Sequence, residues 1–210
     1  SFGDSFYQHQ VALINEELAR IEKAESLQRK NEMHKAFAEE RTQTFVGREE
    51  ILSEIEDYLY STSTSQSPFI AVAKGGNGKT SIIAKSYLRA CKITAADKHP
   101  VVLCRFIGGV AGVETLKLML ESIITDIHTA CGVEGTFAFQ SVEETGIAFN
   151  DALKRAMPER PLWIFIDALD QLEQTDNLLL SDWLPETLPE SVRIVLSTRP
   201  EALARSQGFK

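Results

Sequence analysis

Apolar runs long enough to cross a membrane are missing from the 210 residues. A span needs ~20 predominantly apolar residues, so no membrane partner is expected. No secretory signal stands at the N-terminus. Cysteine is scarce. Cys91, Cys104 and Cys131 are an odd count without a C-x-x-C pair, which excludes a paired-cysteine framework. All three fall in apolar patterns and read as reduced core residues of a cytoplasmic protein. His9, His34, His99 and His128 show no metal-ligand spacing and read as surface or core histidines. Basic residues are too few to cover a nucleic-acid face: 22 Lys and Arg stand against 30 Asp and Glu, a net charge of −8. Phosphate-backbone binding needs a basic face, so no nucleic-acid partner is expected. Glycine and proline are absent from residues 5–40, so nothing there interrupts a helix. Internal repeats are also absent.

What is present suits one α/β domain with an appended segment: 43% hydrophobic and 25% charged residues. The most informative stretch is 69–91. Residues 69–73 are a short apolar run of buried-strand type, and Ile82, Ile83, Tyr87, Ala90 and Cys91 recur at helical spacing. Between them, Ala73-Lys74-Gly75-Gly76-Asn77-Gly78-Lys79-Thr80 is one residue short of the phosphate-loop pattern G-x-x-x-x-G-K-[ST]. A triphosphate needs many donors at close range. Gly75, Gly76, Asn77 and Gly78 let the backbone wrap around phosphates and point its N–H groups inward. The helix that starts at Lys79, Thr80 and Ser81 adds its unpaired amides and the positive end of its dipole. Lys79 is expected to reach the β- and γ-phosphates, and the Thr80 hydroxyl to coordinate Mg²⁺. Ala73 stands where the pattern has its first glycine. Alanine resists positive φ, so Gly75 and Gly76 are expected to supply the freedom.

Strands and helices alternate along the chain, which predicts a parallel three-layer sheet. Residues 5–40 read as one amphipathic helix, with Val11, Ile14, Leu18, Ile21 and Ala24 on the face packed against the domain. A short helix follows in 42–60, with Ile51, Ile55, Tyr58 and Leu59 at helical spacing, and 61–68 is a surface loop. Val101-Val102-Leu103-Cys104-Arg105-Phe106 is a second strand, closed by Gly108-Gly109. Leu116, Met119, Leu120, Ile123 and Ile127 mark one helix, and Ile147, Leu153, Ala156 and Met157 another, stopped by Pro158. Leu162-Trp163-Ile164-Phe165-Ile166-Asp167 is a continuous apolar run ending in a carboxylate, the pattern of a parallel strand covered on both faces. A loop or short helix with Leu178, Leu179, Leu180, Trp183 and Leu184 leads to a fourth strand at 192–197. Pro200 opens a last helix.

A carboxylate at a strand's C-terminal end sits on the edge where such sheets bind ligands. There Asp167 can hold Mg²⁺ facing Thr80. Asp170, three residues on, is placed to orient or deprotonate an attacking water, though an acidic residue in a surface loop needs no role. Arg199 follows the fourth strand at the same edge. It either contacts a γ-phosphate or is a surface arginine paired with Glu201 or Asp182. Ser197 and Thr198 are further hydrogen-bonding candidates.

Four motifs occur in an order that resembles the STAND NTPases, and within them the NACHT-type domains. They are Phe45-Val46-Gly47-Arg48-Glu49-Glu50, the loop ending Gly78-Lys79-Thr80, Ile166-Asp167-Ala168-Leu169-Asp170-Gln171-Leu172, and Val195-Leu196-Ser197-Thr198-Arg199-Pro200. The resemblance spans residues 42–200. It implies an ASCE-type P-loop NTPase with sheet order 5-1-4-3-2, the fifth strand and a winged helix lying beyond Lys210. It implies domains of 1–41, a helical lead-in or linker, and 42–210, a C-terminally truncated nucleotide-binding domain. Val46, Gly47 and Arg48 would lie near adenine and ribose, Asp167 would be the Walker B aspartate, and Arg199 the first sensor. Such proteins are switches that use ATP, ADP and Mg²⁺, oligomerise with ATP, and carry other domains as partners. The leading expectation is therefore an ATP-binding, slowly hydrolysing switch domain of a larger signalling or defence protein, with Lys79, Asp167, Asp170 and Arg199 at its chemistry. A non-hydrolysing interaction scaffold that uses the N-terminal helix is the alternative, and a small-molecule P-loop kinase is the weaker third.

Overall fold

The computed structural model describes residues 2–63, 66–92, 99–133, 137–172 and 180–205. Four strands form one parallel sheet: β1 (Phe69–Val72), β2 (Val101–Phe106), β3 (Leu162–Asp167) and β4 (Val192–Thr198). Their spatial order is β1-β4-β3-β2. This is the order expected for strands one to four of an ASCE-type sheet, and the fold is a three-layer α/β P-loop NTPase fold. Every residue of β3 and β4 is buried, so both central strands are covered on two faces, as their unbroken apolar runs require.

The helices are α1 (Phe2–Thr42), α2 (Glu49–Tyr60), α3 (Lys79–Cys91), α4 (Leu116–Ala130), α5 (Val142–Leu153) and α6 (Pro200–Arg205). They sort into two cores, one on each sheet face. The alternate side chains Ile164, Ile166, Ile194 and Leu196 pack under α4 and α5. Trp163, Phe165 and Val195 point the other way, under α2, α3 and the end of α1. This alternation follows from the two-residue period of a strand. Thr115 and Ser141 cap α4 and α5 by accepting the N–H groups of Leu118 and Glu144, each at 3.2 Å.

Three expectations need correction. First, Val11, Ile14 and Leu18 are exposed, so the predicted apolar face of α1 does not pack on the domain there. The docked part is the last three turns, where His34 and Ala38 are buried and Phe37 meets Phe106 with ring centroids 4.9 Å apart. The side chains of Ile21 and Ala24 lie outside the described residues, as do Leu178 and Leu179. Second, α5 ends at Leu153, and Ile147 and Met157 are exposed. Its buried face is Val142, Thr145, Gly146, Phe149, Ala152 and Leu153, a pattern masked by the small and polar members of the stripe. Third, Cys91 and Cys131 are exposed because they end α3 and α4, and only Cys104 is a core residue.

Candidate functional site

The site is built on the C-terminal edge of the sheet, where parallel pairing brings four strand ends together. Ala73 continues the β1 ladder, its N–H donating to the Thr198 carbonyl at 3.4 Å. Ala73 does not lie at positive φ, so the methyl at the pattern's first glycine meets no left-handed strain. The left-handed residues of the loop are Gly76 (φ 82°) and Gly78 (φ 77°). The expectation that Gly75 would share that role is corrected: its φ is not in the left-handed region. Gly75 instead lies against Arg199, whose guanidinium carbon is 3.8 Å from where a Cβ would stand. Gly78 turns the chain directly into α3, so the amides at the start of that helix face the loop. Lys79 Nζ donates to the carbonyls of Ala73 and, at 3.1 Å, Lys74.

Asp167 ends β3 and is buried. The register that pairs Ile166 with Leu196 sets it beside Ser197 of β4. The Ser197 hydroxyl donates to Asp167 Oδ1 at 2.5 Å and accepts the Ala168 N–H at 2.9 Å. The Thr80 hydroxyl is near enough to the Asp167 carboxylate to favour its ionised form. Burial pushes the Asp167 carboxyl above its ordinary range, against the opposing effects of these hydrogen bonds and the Lys79 charge. A buried carboxylate with a hydroxyl nearby offers hard oxygen donors, the pair a Mg²⁺ ion takes when phosphates complete its shell. Among the described residues no group of three or more His, Cys, Asp and Glu could hold a metal. A site dependent on one carboxylate fits that, since Mg²⁺ is commonly held by one or two carboxylates plus phosphate oxygens.

Asp170 sits in a single 3₁₀ turn, Leu169–Gln171, after the left-handed Ala168 (φ 58°). Its Oδ2 is 2.9 Å from Arg199 Nε. The anticipated surface partners of Arg199 were Glu201 and Asp182, and the ion pair is instead with the second site carboxylate. Its geometry therefore links two candidate residues that sequence distance keeps 29 positions apart.

On the other side of the loop, a cleft of ≈ 360 Å³ lies between Phe45, Val46 and Arg48 and the loop residues Gly76, Asn77 and Gly78, with Ser81. Val46 is 90% exposed, an apolar side chain left open beside the glycine loop. Gly47 (φ 78°) and Arg48 (φ 64°) make the sharp turn that presents it and opens α2. Arg41, from the last turn of α1, also lines this cleft and was missed from sequence, where it read as part of a lead-in helix. The only sequence signal for it is its closeness to the Phe45-Val46-Gly47-Arg48 motif.

No protein-family model matches the chain. It is 31% identical over 158 residues to the mouse NACHT and WD repeat domain-containing protein 2 and 30% identical over 158 residues to the human protein of that name. Each match covers 72% of this chain and 9% of the relative. Mouse telomerase protein component 1 is 26% identical over 152 residues, 66% of this chain and 6% of that protein. The chain thus spans less than a tenth of these relatives' own length. Solved structures include Cdc6p from Pyrobaculum aerophilum, at 11% identity and a TM-score of 0.42 over 80% of this chain and 47% of that one. That likeness is too loose to add to what the sheet order gives. Sheet order, glycine loop and the two NACHT relatives agree: the chain has the P-loop NTPase fold and is homologous to NACHT-domain proteins.

Proposed function

We propose that the chain is an ATP- and ADP-binding switch domain with slow Mg²⁺-dependent ATP hydrolysis, within a larger signalling or defence protein of the STAND type. The observation that carries this reading is the nearness of Thr80, at the end of the glycine loop, to the buried Asp167, with Lys79 acting on the same carboxylate. The large size of the relatives supports the larger multidomain setting.

In this reading Lys79 exchanges the Ala73 and Lys74 carbonyls for β- and γ-phosphate oxygens. Thr80 and Asp167 would hold Mg²⁺, which would neutralise charge that develops on the phosphates. The amides of Gly75 to Ser81 cradle the phosphate chain. Val46, Gly47 and Arg48 take the base and ribose. Arg199 contacts the γ-phosphate and so gives up its ion pair with Asp170. The freed carboxylate then orients the attacking water and accepts its proton as the β–γ bridge breaks. A γ-phosphate thus both reports itself through Arg199 and frees the base. Low turnover follows from the switch role, which needs a dwell time in the ATP state.

Thermal unfolding with Mg-ADP, Mg-ATP and Mg-GTP tests binding first. A ligand at 100 times its dissociation constant adds ~2.7 kcal/mol, a shift of roughly 5–10 °C for a chain of this size. The expected outcome is a shift with adenine nucleotides that disappears in Lys79→Ala, along with γ-phosphate release. Phosphate release that persists unchanged in Lys79→Ala sinks the catalytic assignment.

A further inference from the structure

The cleft beside the glycine loop takes part of its lining from outside the strand–loop–helix unit. Arg41 belongs to the last turn of α1, and its position is set by packing against the sheet. Its guanidinium carbon lies 4.8 Å over the Phe37 ring. Phe37 packs on Phe106 of β2 and covers Gly109 so closely that a Cβ there would meet the ring at 2.5 Å. One turn earlier, His34 Nδ1 accepts the Phe106 N–H at 3.2 Å. The helix cannot slide along the sheet without breaking that buried bond, so the arginine is held at the cleft.

A bland account exists for Arg41, since arginine suits a helix C-terminus and an aromatic face. It leaves the composition of the cleft unexplained. The lining carries two guanidinium groups, Arg41 and Arg48, with the loop Gly76-Asn77-Gly78 and Ser81 in the first turn of α3, and no carboxylate. That is a lining for an anion. Lys79 and Arg199, proposed for the β- and γ-phosphates, and Thr80 and Asp167, proposed for their Mg²⁺, do not line it, whereas Val46 and Arg48, proposed for the base and ribose, do. The phosphate between those two groups is the one next to the sugar.

We propose that Arg41 is a nucleotide-binding residue that contacts the α-phosphate, so that the end of α1 is part of the nucleotide pocket. The proposal rests on the nucleotide-binding reading above. It implies a contact common to ADP and ATP, because both carry that phosphate.

The test is a titration of the 210-residue chain with Mg-ADP and with Mg-ATP, for the wild type, Arg41→Ala, Arg41→Gln and Arg41→Lys. Loss of one charge-assisted contact is expected to weaken both nucleotides about tenfold in Arg41→Ala and Arg41→Gln. Arg41→Lys should recover part of the loss, and the unliganded melting temperature of Arg41→Gln, which keeps the side-chain stem, should match the wild type. Wild-type affinity for both nucleotides in Arg41→Gln overturns the proposal while leaving the nucleotide reading intact. A loss confined to ATP also overturns it, since that is a γ-phosphate contact. A wild-type chain that binds neither nucleotide overturns the nucleotide reading and this proposal with it.

Discussion

Asp167 illustrates how one residue's environment sets its chemistry. Its carboxylate is withdrawn from water, so its ionised form is disfavoured and its pKa lies above the ordinary range. The folded chain therefore holds a proton on Asp167 to a higher pH than the unfolded chain does. The charge opposes folding at neutral pH, and that opposition fades as pH falls through the raised pKa and then the ordinary one. Asp167→Asn keeps an oxygen to accept from Ser197 and removes the charge. It is expected to melt higher than the wild type at pH 7, with the gain shrinking on acidification, and to lose the Mg²⁺-dependent part of nucleotide stabilisation. Equal melting temperatures at pH 7 would show that Ser197, Thr80 and Lys79 already offset the cost of burial. That Asp167 ends a strand was legible, because five apolar residues precede it. Its bond to Ser197 was not, because it depends on β3 lying beside β4 in a given register.

Helix α1 shows how an element acquires two halves with different fates. Its sequence has one continuous helical period and no breaker, so its extent was readable. Which turns dock depends on polar partners elsewhere. Asn31 Nδ2 donates to Asp126 Oδ1 at 2.9 Å, and Asn31 Oδ1 accepts from Arg105 at 3.2 Å. Arg105 and Asp126 form a buried ion pair, and Ser122 accepts from Arg105 at 2.9 Å. The buried charges are thus hydrogen-bonded as well as paired, which their removal from water requires. A charged residue in the middle of an apolar strand was the available signal for this cluster. Gly109 is the other anchor. Its φ is unremarkable, and its glycine identity is enforced by the Phe37 ring above it. Gly109→Ala is expected to cost about 1–3 kcal/mol by overpacking and to lower the melting temperature. The double variant Gly109→Ala/Phe37→Leu should recover part of the loss. A single variant as stable as the wild type would mean that the end of α1 docks without close contact at Gly109.

For the folded chain taken together, the docking of α1 makes stability depend on pH. His34 is buried on its hydrogen bond to Phe106, and burial, with the charges of Arg105 and Lys30, lowers its pKa to about 3. An unfolded histidine protonates near pH ~6.5. Below that value the unfolded chain binds a proton that the folded chain refuses until about pH 3, so stability falls as pH falls across this window. By pH 5 the loss is about 2 kcal/mol from this residue. Chemical denaturation at pH 7 and pH 5 is expected to show that loss in the wild type and a smaller one in His34→Asn, whose amide oxygen can accept the same N–H. An equal pH dependence in the two proteins would remove His34 from the account. Among the described residues no helix is long and apolar enough to cross a membrane.

The local sequence was sufficient for the parts whose physics is local. Continuous apolar runs give buried parallel strands, a glycine loop before a helix gives clustered amides, and the order of motifs points to the NACHT type. Three features depended on how distant segments meet. Ala73 bonds the Thr198 carbonyl and does not lie at positive φ, so the departure from the loop pattern brings no left-handed strain. Arg199 pairs with Asp170 because β4 lies next to β3, though 24 residues separate the end of one strand from the start of the other (168–191). Arg41 reaches the cleft because Phe37 seats α1 on Gly109 and Phe106. In each case the deciding contact joins residues on different elements, and a one-dimensional pattern carries no record of which faces will touch.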